Sequence, residues 1–292
     1  MNRCRYAFQA AMGGELPSAR TLPETYGTED GERMSCIISG VSNFILSDMA
    51  ACDISFEVAR KRARMLGLAR HAESPETGDR ESAQKLATLA ALYHRRPVDA
   101  REMSVTGIAD ISALDLEIAS ELGYAVKPLG VIRPGEAGRL LVHAYPALVP
   151  NGHPLAAIAG ARQAVLMEGS PSGSFLISEP VSNPWDGPVR SVKNMPGKER
   201  LPLAPIGGLI SGNYLRFTLT DRPGAMGEIA GLLARYWISV DFAMQKSLPG
   251  RTGVTAVILT RPARDIEVRE ALGLISSMPF IIGKTQRMRI HV

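Results

Sequence analysis

No apolar run in the 292-residue chain approaches the roughly 20 residues that a bilayer-spanning helix needs, so no membrane helix is expected. Cysteine is scarce. Cys4, Cys36 and Cys52 are an odd number at no metal-like spacing, which points to reduced thiols rather than a disulfide framework or a zinc site. No Cys/His signature surrounds them, so each is read as core or surface filler rather than a nucleophile. No Gly-x-Gly-x-x-Gly lies between a strand and a helix and no Walker-type loop occurs, which removes the usual phosphate-cradling device. The opening stretch MNRCRYAFQAAMGGELP has two arginines but only a short, interrupted apolar segment. It makes a poor signal peptide, and the cytoplasm is the expected compartment. The basic run Arg60, Lys61, Arg62 and Arg64 falls in a helical pattern without interleaved aromatics. Despite the net charge of +4, a solvated helix face is favoured there, and no nucleic-acid or membrane partner is expected.

What is present describes an ordinary folded protein: 45% apolar and 21% charged residues, long enough for two domains. Residues 180–212 hold six prolines and several glycines, a density no helix or central strand tolerates, so an excursion and linker are expected there. The chain divides on this basis into domains 1–205 and 206–292. In the C-terminal part, Leu215, Phe217 and Leu219 alternate with Arg216, Thr218 and Thr220, the period of a half-buried strand. A DRPG turn follows, then a helix with Met226, Ile229, Ala230 and Leu233 on one stripe. ISVDFAMQ and GVTAVILT read as strands joined by a glycine-bearing loop, RDIEVREALGLISSM as a helix, and residues 287–292 as a last alternating strand. The predicted order is βαββαβ, the ferredoxin-like arrangement.

The N-terminal part mixes types. ERMSCIISGVSNFIL reads as a strand, a turn and a helix; SFEVARKRARML and RESAQKLATLAALYH read as helices, the latter with Leu86, Leu89, Ala90 and Tyr93 buried. MSVTGIADI, AVKPLGVIR, GRLLVHAYPALVP and ARQAVLMEG are expected strands, and SALDLEIASELG a helix ended by Gly123. Several helices between strands argue for an α+β fold with a mixed sheet, not a doubly wound one.

One helix carries possible chemistry. In GDRESAQKLATLAAL, Glu81 stands four residues before Lys85, so both groups share a helix face. Such a pair is either a surface ion pair worth roughly 0.2–0.5 kcal/mol or a catalytic couple, and local spacing leaves both open. His143 and His153 have no paired base or nucleophile and read as core or turn residues. Asn43, after Gly40 and Ser42, suits substrate contact or a side-chain turn bond equally.

In order along the chain, ISGVSNFILSDM, SFEVARKRARMLGLARHAESPETGDRESAQKLATLAAL, VTGIADISALDLEIASELGYAVKPLGVI, ALVPNGHPLAAI and DRPGAMGEIAGLLARYWISVDFAMQK resemble successive segments of homoserine dehydrogenase. The resemblance covers nearly the whole chain. It implies a homoserine dehydrogenase-like catalytic domain over 1–205 and an ACT domain over 206–292. It also implies NADPH- or NADH-dependent interconversion of L-aspartate semialdehyde and L-homoserine. Lys85 would then deliver the proton to the carbonyl oxygen, with Glu81 in place of the family's aspartate beside it. Gly40, Ser42, Asn43, Arg70 and Glu76 fall at substrate-binding positions.

The resemblance begins after the family's dinucleotide-binding domain. It therefore implies either a cofactor domain supplied by a separate chain or a sequence that is a truncated piece of a longer protein. The substrate loop departs from the family pattern. Arg70 stands for a substrate-contacting glutamate, Ala72 and Glu76 for aspartates, and Asp79 for a glycine. A cation in place of a carboxylate at about 4 Å, with an effective dielectric near 20, is a swing of several kcal/mol against an ammonium. An acid other than the family's substrate, handled without redox chemistry by Lys85 and Arg70, is one consequence. SEPVSNPWDGPVR replaces the glycine segment that approaches the nicotinamide. A weak sodium site would use Gln9, where the family has glutamate, with the carbonyls of Met12, Gly14 and Leu16. In the ACT part, Asp221, Gly224, Ala225 and Asp241 are the candidate effector contacts, the helix-start amides taking a carboxylate. A homodimer or tetramer is implied. The alternative is a catalytically inactive, amino-acid-binding regulatory dimer.

Overall fold

The computed structural model describes residues 33–68, 75–170, 173–181, 199–247 and 253–291. The chain divides into two compact units, Met1–Pro146 with Asn151–Ala204, and Ala147–Pro150 with Pro205–Val292.

The first unit runs β1 (Arg33–Ile37), α1 (Gly40–Cys52), α2 (Phe56–Met65), α3 (Pro75–Tyr93), β2 (Ser104–Val105), α4 (Ala113–Glu121), β3 (Tyr124–Pro134), β4 (Leu140–Pro150, whose last four residues belong to the second unit), β5 (Arg162–Ser170) and β6 (Gly173–Pro180). Its strands lie in the order β6-β5-β1-β3-β4, and β2 pairs with β4 in parallel. β1 is antiparallel to both neighbours, with Cys36 opposite Gly130 on one side and Val165 on the other. This is the mixed sheet with helices that the sequence implies. The stripe Leu86, Leu89, Ala90 and Tyr93 of α3 packs on Met34, Cys36, Ile132, Val142 and Val165. Its i, i+3, i+4, i+7 spacing puts all four on the sheet-facing side of one helix.

Three expectations change. The strand expected over MSVTGIADI shrinks to Ser104–Val105, because the chain turns over Ile108–Ile111, where the Ile111 amide donates to the Ile108 carbonyl at 3.1 Å. β6 was not predicted from sequence. Its consecutive Phe175, Leu176 and Ile177 break the alternation that marks a strand, and long-range pairing with β5 fixes it instead. The proline-rich segment also gives way to strand at Ile210, before the expected end at 212, because Ile210 and Ser211 pair with Arg264 and Ala263.

The second unit runs β7 (Ile210–Leu219), α5 (Ala225–Arg235), β8 (Val240–Ser247), β9 (Val254–Arg264), α6 (Asp265–Ser276) and β10 (Gln286–Ile290). The strand order is β10-β7-β9-β8, with β7 antiparallel to both neighbours and β8 antiparallel to β9. Leu215, Phe217 and Leu219 of β7 meet Ile229 and Leu233 of α5 and Val268, Ala271 and Ile275 of α6. The predicted βαββαβ order is present, both helices on one face of the sheet. At the end of β7 the chain enters α5 through Gly224 at φ 85°, a conformation that L side chains rarely adopt. Inside this unit Asp265, at the start of α6, is fully buried and receives Arg287 at 2.8 Å, Arg289 at 2.5 Å and Arg269 at 3.1 Å. Burial and the neighbouring Arg289 push the Arg287 guanidinium down to about 10.

Candidate active site

A pocket of the first unit, with about 90 Å³ of water-accessible space, lies among α1, α2, α3 and the turn after β2. Its polar lining includes Ser39 and Ser42 from the start of α1, Arg60 and Arg64 from α2, Asp79 and Ser82 from α3, Thr106 after β2 and Tyr145 of β4. Local rules position these groups. Ser39 caps α1, its Oγ accepting from the Ser42 amide at 3.1 Å, so the positive end of the helix faces this region. Arg60 and Arg64 are one turn apart on α2, and Asp79 and Ser82 one turn apart on α3. Asp79 lies against Gly107. A Cβ on that glycine would stand 2.6 Å from Oδ1 and 2.9 Å from Oδ2, so the glycine makes room for the carboxylate. Burial pushes the Asp79 carboxyl up from the ordinary aspartate value.

Lys85 lies one turn beyond Ser82 on α3, at the spacing that puts the two side by side, although it does not itself line the pocket. Its Nζ is 2.5 Å from Glu81 Oε1, and its side chain is only 14% exposed against 37% for Glu81. That exposure separates this pair from a lysine waving in solvent: the ammonium is sheltered and held at one point.

The other candidates divide. Ser42 lines the pocket. Asn43 does not; its Nδ2 donates to the carbonyls of Ile158 at 3.2 Å and Gly160 at 3.0 Å, fastening the turn before β5 to α1. Gly40 likewise stands off the lining, and a Cβ there would fall 2.1 Å from the Val181 side chain, so its missing side chain admits protein rather than ligand. His143 is buried and stacks on Tyr145 at 4.9 Å, and His153 caps a short turn by accepting from the Leu155 amide at 3.2 Å. These are the core and turn roles read from the sequence. Arg70, Gln9, Met12, Gly14 and Leu16 lie outside the described residues, as does the side chain of Glu76. Among the described residues no group of three His, Cys, Asp or Glu could hold a metal ion.

In the second unit, Asp221, Gly224 and Ala225 line a pocket of about 400 Å³ with Gln245 and Ser247. Asp241 does not line it and stands on β8 beside Arg261, 3.5 Å away.

Sequence reasoning missed Arg60, Arg64 and Asp79. The two arginines were read as a solvated helix face because a one-dimensional charge run does not show which side of the helix meets a cavity. Lys127 was also passed over. It is buried on β3, with Nζ donating to the Ile158 carbonyl at 2.6 Å, and burial pushes it down to about 8.

Comparison with known proteins adds the name of the scaffold. The family model for homoserine dehydrogenase matches residues 17–185. The chain belongs to the homoserine dehydrogenase family. Similar relatives include the homoserine dehydrogenase of Mycobacterium leprae, 27% identical, the match covering 97% of this chain and 70% of that protein. That of Pseudomonas aeruginosa is 28% identical, over 98% and 71%. The crystal structure of a homoserine dehydrogenase from Thiobacillus denitrificans superposes with a TM-score of 0.84 at 27% identity, over 97% of this chain and 69% of that one. The S. aureus homoserine dehydrogenase at pH 7.0 shares the fold, with a TM-score of 0.65 at 19% identity. The oxidoreductase scaffold read from the collinear segments is therefore the one this chain has, over the mixed-sheet part.

A dinucleotide fits poorly on what is described. The helix start nearest a phosphate cradle is that of α1, where the Val181 side chain already fills the space beside Gly40. No strand, glycine loop and helix of the dinucleotide-binding kind occurs among the described residues.

Proposed function

We propose that this chain supplies the substrate-binding and proton-delivering part of a homoserine dehydrogenase-type oxidoreductase interconverting L-aspartate semialdehyde and L-homoserine. Lys85 is the general acid toward the carbonyl oxygen, and Glu81 holds its ammonium in place. The observation that carries this reading is the sheltered 2.5 Å Lys85–Glu81 pair one turn from the pocket. An ammonium so placed polarises a carbonyl before giving up its proton, and its carboxylate partner fixes its position. Ser42, with Arg70 and Glu76, completes the substrate side, while Gly40 and Asn43 hold the backbone around it. The hydride donor, NADPH or NADH, would be held by a dinucleotide-binding domain.

Residues 206–292 make an ACT domain that pairs copies of the chain into a dimer or tetramer and takes an amino acid at Asp221, Gly224 and Ala225. The pocket under the β7–α5 turn supports this, and Asp241 belongs to the surrounding surface. A sodium site at Gln9, Met12, Gly14 and Leu16 would be weak, since Gln9 lacks the formal charge of a glutamate.

The test is NADPH or NADH oxidation with aspartate semialdehyde by the full chain, a separate dinucleotide-binding domain being supplied. Turnover is expected, and Lys85→Met should lower it by about 10²–10⁴-fold, the usual contribution of a positioned general acid. No turnover by the unaltered chain under those conditions overturns the catalytic reading. The regulatory reading would then stand on amino acids raising the melting temperature, an effect abolished by Gly224→Pro because proline cannot adopt the positive φ found there.

A further inference from the structure

Asp79, Arg60 and Arg64 line one pocket without meeting each other. Asp79 is half-buried on α3, its two oxygens against Gly107, and it makes no ion pair or hydrogen bond among the described residues. A carboxylate partly withdrawn from water without a partner is destabilised, and a cation restores the balance. The cations at hand do not serve. Arg60 turns Nη2 outward to Glu57 at 2.6 Å while its buried Nε has no hydrogen-bond partner, and Arg64 makes no ion pair among the described residues. The capped start of α1, with Ser39 and Ser42, adds partial positive charge to the same lining.

A cavity lined by a negative group and by positive groups that are held apart matches a ligand carrying both charges. An anion alone would leave Asp79 unpaired and repelled. A metal cation would find one carboxylate and two guanidinium groups. The space admits about six waters, taking about 15 Å³ for each, which is the scale of a small metabolite.

We propose that Asp79 is the ammonium receptor of this pocket, and that Arg60 and Arg64 receive the carboxylate of the same α-amino acid. This deepens the function proposed above and rests on it for the choice of ligand. Arg70 stands where the family resemblance places an ammonium-binding glutamate, and Asp79, nine residues later in the sequence, restores a carboxylate.

The test is calorimetric binding to the full chain without nicotinamide, using L-homoserine and its deaminated analogue 4-hydroxybutanoate. Homoserine should bind, and Asp79→Asn should weaken it at least tenfold while 4-hydroxybutanoate binds no more weakly than before. The paired change Arg60→Gln, Arg64→Gln should weaken both. Gly107→Ala, which presses a methyl group onto the Asp79 oxygens, should reproduce the Asp79→Asn pattern without removing the charge. Homoserine bound equally well by Asp79→Asn, or by neither protein at millimolar concentration, overturns the assignment. Binding that depends on Asp79 in a chain without turnover keeps the receptor and removes the dehydrogenase. Turnover with binding indifferent to Asp79 does the reverse.

Discussion

At the scale of single residues, burial decides what each reactive group can do. The Cys36 thiol is fully buried, donates to the Gly130 carbonyl at 3.3 Å and is pushed up to about 12 by burial, so it stays a thiol at neutral pH. Cys52 is exposed at the end of α1. A thiol reagent at pH 8 should label Cys52 in the folded protein and reach Cys36 only on unfolding, as peptide mapping would read. Lys127 is a second case. Its ordinary value near 10.5 falls to about 8 in the fold, so between those values the unfolded chain binds more protons than the folded one. Stability from this group therefore rises with pH through that window and is lost as pH falls to about 8. Relative to Lys127→Met, the unaltered protein should gain stability on the order of a few kcal/mol between pH 8 and pH 10, measured by urea denaturation. A constant gap between the two proteins would show that the lysine is charged in both states throughout. The sequence showed none of this, because burial belongs to neighbours far along the chain. The Glu81–Lys85 spacing was legible, but its shelter was not.

At the scale of elements, local rules did most of the work. α4 opens with a capping box in which the Asp115 amide donates to Ser112 Oγ at 3.3 Å and the Ser112 amide to Asp115 Oδ2 at 2.9 Å. Ser112→Ala should cost about 1 kcal/mol of stability, seen as a lower denaturation midpoint, while substrate binding is kept. Loss of binding instead would mean that the cap also sets the pocket. The helical stripes on α3, α5 and α6 and the alternation on β7 and β10 were readable because they are properties of a few consecutive residues. β6 was not readable, since its place depends on β5 and not on its own pattern.

At the scale of the whole molecule, each unit has its own core and its own polar fixture. In the second unit one buried carboxylate, Asp265, joins α6 to two arginines of β10, and Arg287 continues to Asn213 of β7 at 2.9 Å. Removing it strands guanidinium groups away from water. Asp265→Ala should therefore destabilise this unit by about 3–5 kcal/mol, beyond the loss expected from a surface pair, in a thermal melt followed by circular dichroism. A change below about 1 kcal/mol would mean that the arginines find water instead.

The sequence by itself determined most of the helices and strands, though not β6, together with the βαββαβ succession of the second unit, the family's collinear segments and the Glu81–Lys85 pair. All of these rest on spacings of a few residues or on their order along the chain. Only the tertiary structure decided that Arg60 and Arg64 face a cavity, that Asp79 faces it too, that Asn43 ties down a turn, and that Lys127 is sheltered. Those facts depend on which faces of separate elements are packed together, and a helix or strand can have the same local pattern with any neighbour opposite it.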